Sequence, residues 1–223
     1  MKIFKSLEIE TSSLCNRVCP TCIRNSHPNR NAIKPWFEFH LMPMEIIKEA
    51  LDQCVKFDYK GSVCLSHYNE PLMDKRIIDI ARLVKSYDRF FIHLCTNGDL
   101  LTRKMASQLD GILNKITIAM YEKRGSRLFE KLFAKTKVSI KGEHIKTHFT
   151  EGIEKTVKCK LHRLIINHRR QYLLCCEDVI GNFNLGTFPE ISLQDFWFGE
   201  NRFRTIRKRR QNFYCLMCPR MFE

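Results

Sequence analysis

Three thiols crowd one short stretch of this 223-residue chain, Cys15-Asn-Arg-Val-Cys19-Pro-Thr-Cys22. Five more gather towards the other end, at Cys159, Cys175, Cys176, Cys215 and Cys218. Thiolates are soft ligands that suit iron-sulfur clusters or zinc. Three closely spaced ones leave a cubane cluster with one iron that the protein does not ligate, and an open iron can bind substrate. A structural zinc site wants two pairs of ligands, so a CxxxCxxC triplet is an odd supply for it. The remaining Cys54, Cys64 and Cys95 stand among apolar neighbours, where a free cysteine behaves as a small hydrophobe, and they are assigned to the core.

The compartment bears on what eleven cysteines are for. The N-terminal MKIFKSLEIE carries Lys5, Glu8 and Glu10 where a leader peptide needs an unbroken apolar run, and no stretch of about 18 uncharged apolar residues occurs. A cytoplasmic, reducing location is therefore expected, with no membrane span. There the thiols would not be held as structural disulfides, and an odd number cannot all pair. With 44% hydrophobic and 28% charged residues the chain is globular rather than disordered or fibrous.

To place three thiols on one loop the chain needs a rigid frame, and its first two-thirds supplies alternating strand-like and helix-like segments. Residues 5–11 alternate, with Leu7 and Ile9 on one face. Pro43 opens a helical pattern to about Phe57, with Ile46, Ile47, Ala50, Leu51 and Cys54 at helical spacing. A strand is expected around Ser62 to His67, a helix from Pro71 to about Tyr87, and a strand from Phe90 to Cys95. A helix over Leu100 to Leu109, a strand over Lys115 to Met120 and a fifth strand near Lys137 to Ile140 complete the series. Such alternation favours an α/β fold with a parallel sheet. The cysteine loop then follows the first strand, at the carboxyl end of the sheet, where these folds put their chemistry.

From about residue 151 the pattern changes to short polar turns, a cysteine pair, Gly181 and Gly186, and one amphipathic helix from Ser192 to about Arg209. The expected division is 1–150 for the main α/β unit and 151–223 for a small second module that a metal would help to hold. Leu193, Phe196 and Trp197, at i, i+3, i+4 spacing, are expected to pack that module onto the main sheet. The net charge is +14, and Arg202, Arg204, Arg207, Lys208, Arg209 and Arg210 form a dense basic stretch. This suggests an anionic partner. Aromatic residues are not interleaved as on a single-strand stacking platform, so nucleic acid is not the first choice. His67, His93, His144 and His148 have no partner spacing that singles them out and are assigned structural or solvated places.

The cysteine triplet resembles the signature of the radical S-adenosylmethionine (SAM) enzymes. Two further segments, each expected at a strand end, resemble that family's motifs. His67-Tyr68-Asn69-Glu70-Pro71 is similar to the Gly-Gly-Glu-Pro segment that holds the amino group of SAM, with Tyr68 and Asn69 where glycines are usual. Leu94-Cys95-Thr96-Asn97-Gly98 is similar to the Thr-Asn-Gly that ends the next strand. Taken alone, Glu70-Pro71 is also a favourable helix start and Asn-Gly an ordinary turn. The order of Cys159, Cys175 or Cys176, Leu185-Gly186, Ser192 to Trp197 and Cys215-Leu-Met-Cys218 resembles the twitch extension, the single-cluster relative of the SPASM domain. The glycine usual before its ligand cysteine falls at Arg170 if Cys175 is the ligand.

The resemblance implies a shortened partial (β/α) TIM-like barrel of about four or five strand-helix units, plus a small C-terminal iron-sulfur module. It implies that Cys15, Cys19 and Cys22 hold a 4Fe-4S cluster that binds SAM. Tyr68, Asn69, Glu70, Thr96 and Asn97 would contact SAM, and Cys159, Cys175, Cys215 and Cys218 would hold a second, auxiliary cluster, expected to be 4Fe-4S as well. A flavodoxin- or ferredoxin-type donor would supply electrons. SAM would be cleaved reductively to a 5'-deoxyadenosyl radical that abstracts a hydrogen atom from an anionic or sugar-like substrate. A short core with a twitch module resembles the radical dehydrogenases of aminoglycoside biosynthesis, of the 2-deoxy-scyllo-inosamine kind, which points to oxidation. Epimerisation and peptide modification are the enzymatic alternatives. A hydrogen-donating cysteine near the 5'-carbon would favour epimerisation, with Cys64 and Cys95 the residues in question. From other classes come a zinc-stabilised nucleic-acid-binding protein and a plain electron carrier.

Overall fold

The computed structural model describes residues 3–20, 22–26, 30–119, 126–141, 161–176, 178–208 and 211. Among these residues seven strands form one sheet in the order β5-β4-β3-β2-β1-β6-β7. They are β1 (Ser6–Ile9), β2 (Ser62–Cys64), β3 (Phe91–Thr96), β4 (Lys115–Ala119), β5 (Lys137–Lys141), β6 (Arg163–Ile166) and β7 (Tyr172–Leu173). All neighbours pair in parallel except the antiparallel β6–β7. The sheet stays open, with β5 and β7 at its edges. This is the expected α/β architecture with a partial, unclosed barrel. The five expected strands are present, and β6 adds a sixth parallel one.

β6 was not foreseen. It lies beyond residue 150, yet it pairs with β1 over Ser6 to Ile9, so the main sheet continues into the segment assigned to the second module. Three hydrophobic residues, Leu164, Ile165 and Ile166, are buried there.

The helices are α1 (Ile23–Ser26), α2 (Arg30–Ile33), α3 (Met44–Lys56), α4 (Ile77–Ser86), α5 (Arg103–Leu109), α6 (Ser126–Glu130), α7 (Leu193–Phe198) and α8 (Glu200–Lys208). Pro43 caps α3, which buries Ile47, Ala50, Leu51 and Cys54 against the sheet. Pro71 starts only a 3-10 turn to Met73, and α4 begins at Ile77 with Ile77, Ile80, Ala81 and Val84 inward. Thr102 accepts from the Met105 backbone N–H, so α5 starts three residues later than the pattern suggested. The single helix expected from Ser192 to Arg209 is two helices broken at Gly199. A Cβ at Gly199 would lie 2.2 Å from the Asp195 carbonyl oxygen, a contact no side chain tolerates.

Strand alternation divides the sheet into two unlike faces. Leu7, Ile9, Val63, Leu65, Ile92, Leu94, Ile116 and Ile118 enter the apolar core beneath the helices. The intervening Ser6, Glu8, Ser62, Cys64, His93, Cys95 and Thr117 line a cavity on the other side. Cys64 and Cys95 are thus corrected from core to cavity wall, because they share register parity with Ser62 and His93 rather than with Val63 and Leu94. Cys54 is buried in the core as expected.

Leu193, Phe196 and Trp197 dock α7 as foreseen: Trp197 meets Phe4 edge-on at 5.3 Å, and the Leu193 N–H donates to Gln53 of α3 at 2.9 Å. The basic stretch is less free than its sequence implies. Arg202 is buried, lies 3.7 Å over the Trp197 ring and donates to the Leu161 carbonyl, and Arg207 pairs with Glu200. Arg209 and Arg210, like His144 and His148, lie outside the described residues. Among the described residues no helix is long and apolar enough to cross a membrane.

Candidate active site

The three loops that leave β1, β2 and β3 meet over one end of the cavity, whose volume is about 560 Å³. Cys15, Cys19 and Cys22 line it, together with Tyr68, Asn69, Glu70, Thr96 and Asn97. Residues from three distant stretches of chain are therefore brought to one place, as their position at strand ends requires.

The cysteine loop is tied down at both ends. Arg17 forks onto Asp99, with Nε to Oδ2 at 2.5 Å and Nη2 to Oδ1 at 2.6 Å. Asn16 donates to Asp99 and accepts from the Asn97 amide at 2.8 Å. Arg24 donates to the carbonyls of Ser13 and Tyr68 and lies 4.3 Å over the Phe37 ring. Asn25 and the Cys22 N–H both donate to the Cys19 carbonyl. Burial pushes the thiols of Cys15 and Cys22 up, the latter to about 11. Thiolates at these positions need a cationic centre beside them, which a metal cluster provides. The donor set, one loop of three soft ligands facing a cavity, fits such a cluster.

Glu70 is 2% exposed and acts first as a tie. Its Oε1 accepts from the Leu72 N–H at 3.0 Å and the Thr96 hydroxyl at 2.6 Å, and its Oε2 accepts from the Asn97 N–H at 2.7 Å. The carboxylate thus caps the 3-10 turn, as the plain helix-start reading expects, and also clamps the end of β3 to the loop after β2. Burial pushes its carboxyl up despite these bonds. Gly98 completes the Thr-Asn-Gly turn at φ 78°, where its N–H reaches the Thr96 hydroxyl. Asn69 turns its Oδ1 to the His67 N–H and leaves a buried Nδ2 without a hydrogen-bond partner among the described residues. A buried donor with no acceptor in a cavity wall is a place for a ligand.

Two buried carboxylates, Glu8 and Glu10, each meet a histidine, and His67 takes a structural place as assigned. Glu8 binds His67 at 3.5 Å and Arg163 at 2.9 Å. Glu10 accepts from the Tyr68 N–H, from the His168 N–H and from His168 Nδ1 at 2.7 Å, while His168 Nε2 meets the Trp36 carbonyl at 2.7 Å. Both ring nitrogens of His168 are thus held, one against a carboxylate and the other against a carbonyl. Burial pushes both carboxyls up. The bonds and charge of His67 and then Arg163 at Glu8, and of His168 and then the charge of His67 at Glu10, outweigh it and hold them below 4.5. A lowered carboxyl stabilises the fold above its unfolded value, and that contribution is lost as pH falls through the folded value. Glu10→Gln should therefore be less stable than wild type at pH 7, with the gap narrowing as pH drops below about 4.5. Thermal unfolding across that range checks it, and a gap that widens in acid contradicts it.

At the far end of the chain, Cys176 lines the cavity and Cys175 does not, although both are half-buried. Arg170, at the position where the resemblance expects glycine, does adopt a left-handed φ of 67°. Cys159, Cys215 and Cys218 lie outside the described residues. Asp178 pins the following turn by accepting from Leu174 and Asn182 N–H groups, and burial pushes its carboxyl up to about 6.

Comparison with known proteins agrees with this layout. The sequence model of the radical SAM superfamily matches residues 9–120. The S-adenosyl-L-methionine-dependent 2-deoxy-scyllo-inosamine dehydrogenase of Niallia circulans is 29% identical over 109 residues, which are 48% of this chain and 41% of that protein. The aligned stretch is thus less than half of that relative. Among solved structures, BtrN in complex with AdoMet and 2-DOIA is similar with a TM-score of 0.79 at 23% identity, over 95% of this chain and 91% of that one. Native anSMEcpe with bound AdoMet is similar with a TM-score of 0.67 at 12% identity, over 96% and 88%. These structural likenesses concern the fold.

Proposed function

The chain belongs to the radical SAM superfamily, and from that premise we propose that it is a dehydrogenase that oxidises an alcohol of a small sugar- or cyclitol-like substrate. Superfamily membership implies SAM and a 4Fe-4S cluster. When bound, they supply a 5'-deoxyadenosyl radical that removes a hydrogen atom from the substrate.

The observation that carries this reading is the meeting of two walls. The three cysteines line the same cavity as the polar face of the sheet. Cys15, Cys19 and Cys22 hold the cluster. Asn69 Nδ2 offers a donor, and Glu70 keeps the Thr96-Asn97 edge in place for the cofactor. Ser6, Ser62, Ser66 and Thr117 offer hydroxyls to a polyhydroxylated ligand, and Lys141 and Arg163 add positive charge for an anionic one. The curated relative is named a dehydrogenase, which favours oxidation over epimerisation, peptide modification, electron carriage or zinc-dependent nucleic-acid binding.

The segment 151–223, whose β6 joins the main sheet, then carries an auxiliary cluster on Cys159, Cys175, Cys215 and Cys218, to take an electron from the substrate radical. Cys176, on the cavity wall, is the other candidate of the pair. A flavodoxin- or ferredoxin-type protein of the cytoplasm delivers the first electron.

Anaerobic protein reconstituted with iron and sulfide, reduced and given SAM, should form 5'-deoxyadenosine. An aminocyclitol substrate should raise that yield and appear as a ketone lighter by two hydrogens. Absence of 5'-deoxyadenosine overturns the reading. A product of unchanged composition that takes up solvent deuterium at carbon replaces oxidation by epimerisation.

A further inference from the structure

A second group of metal-ligating side chains stands on the cavity floor, apart from the cysteine loop. Cys64 at the end of β2 pairs in register with His93 of β3, and Cys95 follows two residues on along the same strand. Parity sends all three side chains to the cavity. Their ligand atoms lie within 4.8 Å of one another, with His93 Nε2 3.5 Å from Cys95 Sγ. We propose that Cys64, His93 and Cys95 form a mononuclear site for zinc, distinct from the iron-sulfur ligands, with its fourth position open to the cavity.

Three features carry this. The donor set is two sulfurs and one imidazole nitrogen, which selects zinc over magnesium or calcium. The sulfur–nitrogen spacing of Cys95 and His93 is right. Zinc–sulfur and zinc–nitrogen bonds of about 2.3 and 2.0–2.1 Å at tetrahedral angles separate sulfur from nitrogen by about 3.6 Å, close to the distance already present.

The frame is also rigid. The three residues sit on adjacent inner strands, and Ser66 holds both thiol-bearing segments, its Oγ lying 3.4 Å from Cys64 Sγ and accepting from the Cys95 N–H at 3.0 Å. Thr117 Oγ1 lies 2.9 Å from His93 Nε2, and zinc bound at that nitrogen would replace this contact.

Two thiolates and a histidine with a vacancy towards a cavity is the arrangement of catalytic rather than closed structural zinc. Water fills such a position at rest, and a substrate oxygen can take it. If the proposed alcohol oxidation is right, that oxygen is the substrate's hydroxyl. This last step rests on the proposed function, whereas the metal site does not.

The test is elemental analysis of the full chain, reconstituted anaerobically with iron and sulfide, exposed to zinc and gel-filtered, alongside zinc-edge X-ray absorption. Wild type should retain about one zinc per chain, with two sulfurs and one nitrogen from the protein around it. Cys64→Ser with Cys95→Ser should lose the zinc and keep its iron, whereas Cys15→Ala with Cys22→Ala should lose the iron of the SAM-binding cluster and keep the zinc. Because the serine pair sits in the sheet, His93→Gln, which keeps both thiols, is the second variant and should weaken zinc retention at least tenfold. Protein that retains no zinc, a four-sulfur shell, or equal zinc in wild type and His93→Gln overturns the site. Zinc-free protein that still forms 5'-deoxyadenosine removes this site alone. Zinc-loaded protein with its iron in place that forms none removes the proposed function alone.

Discussion

Replacing Cys19 by alanine is expected to abolish reductive cleavage of SAM while leaving the fold in place. Loss of a partner behind a metal ligand typically costs 10–100-fold in affinity or activity, and loss of a ligand itself should exceed about 100-fold. The local structure predicts that the loop survives. Cys19 contributes to it through its carbonyl, which accepts from Asn25 and from the Cys22 N–H, and alanine keeps both contacts. Arg17, Asn16 and Arg24 hold the loop independently. If the proposed auxiliary cluster is present, iron should fall to about half of the wild-type content. Iron analysis, the visible spectrum and chromatography of 5'-deoxyadenosine check it, with the melting temperature as the control for folding. A variant that cleaves SAM at the wild-type rate refutes the assignment of the triplet.

Much of the site was legible because its parts are local. A triplet of thiols, a glutamate before proline and a Thr-Asn-Gly turn each announce themselves within a few residues, and each follows a strand that alternation reveals. Parallel topology then puts all three at one edge. Alternation also speaks against a core place for two cysteines: in Ser62-Val-Cys-Leu-Ser66 and Phe91-Ile-His-Leu-Cys95 they keep step with serine and histidine, not with the aliphatic residues. Apolar neighbours in sequence are on the opposite face of a strand, so they say nothing of a cysteine's surroundings. The pairing of β6 with β1 and the bonds of Glu8 to Arg163 and Glu10 to His168 join residues more than 150 apart. No periodicity encodes such contacts. β6 itself is four residues in a segment otherwise dominated by turns, too short for alternation to register.

Glu70 is the position where sequence resemblance and geometry assign different first duties, and two substitutions separate them. Glu70→Ala removes the acceptor of three donors, the N–H groups of Leu72 and Asn97 and the Thr96 hydroxyl. An orphaned buried donor costs about 1–3 kcal/mol. Glu70 borders the cavity, so water can relieve some of that loss, and a total near 2–4 kcal/mol is expected. For a chain of this size that lowers the melting temperature by roughly 5–15 °C. Glu70→Gln keeps one carbonyl oxygen for Leu72 and Thr96 but turns an amide N–H₂ towards the Asn97 N–H, so its loss of stability should be smaller. If the carboxylate also receives the ammonium of SAM, the neutral amide forfeits a charge-assisted bond that the fold does not need. SAM affinity, measured by calorimetry on reconstituted protein, should then fall more steeply from wild type to Gln than stability does. Proportional losses of the two quantities would instead make Glu70 only the tie between the second and third strands.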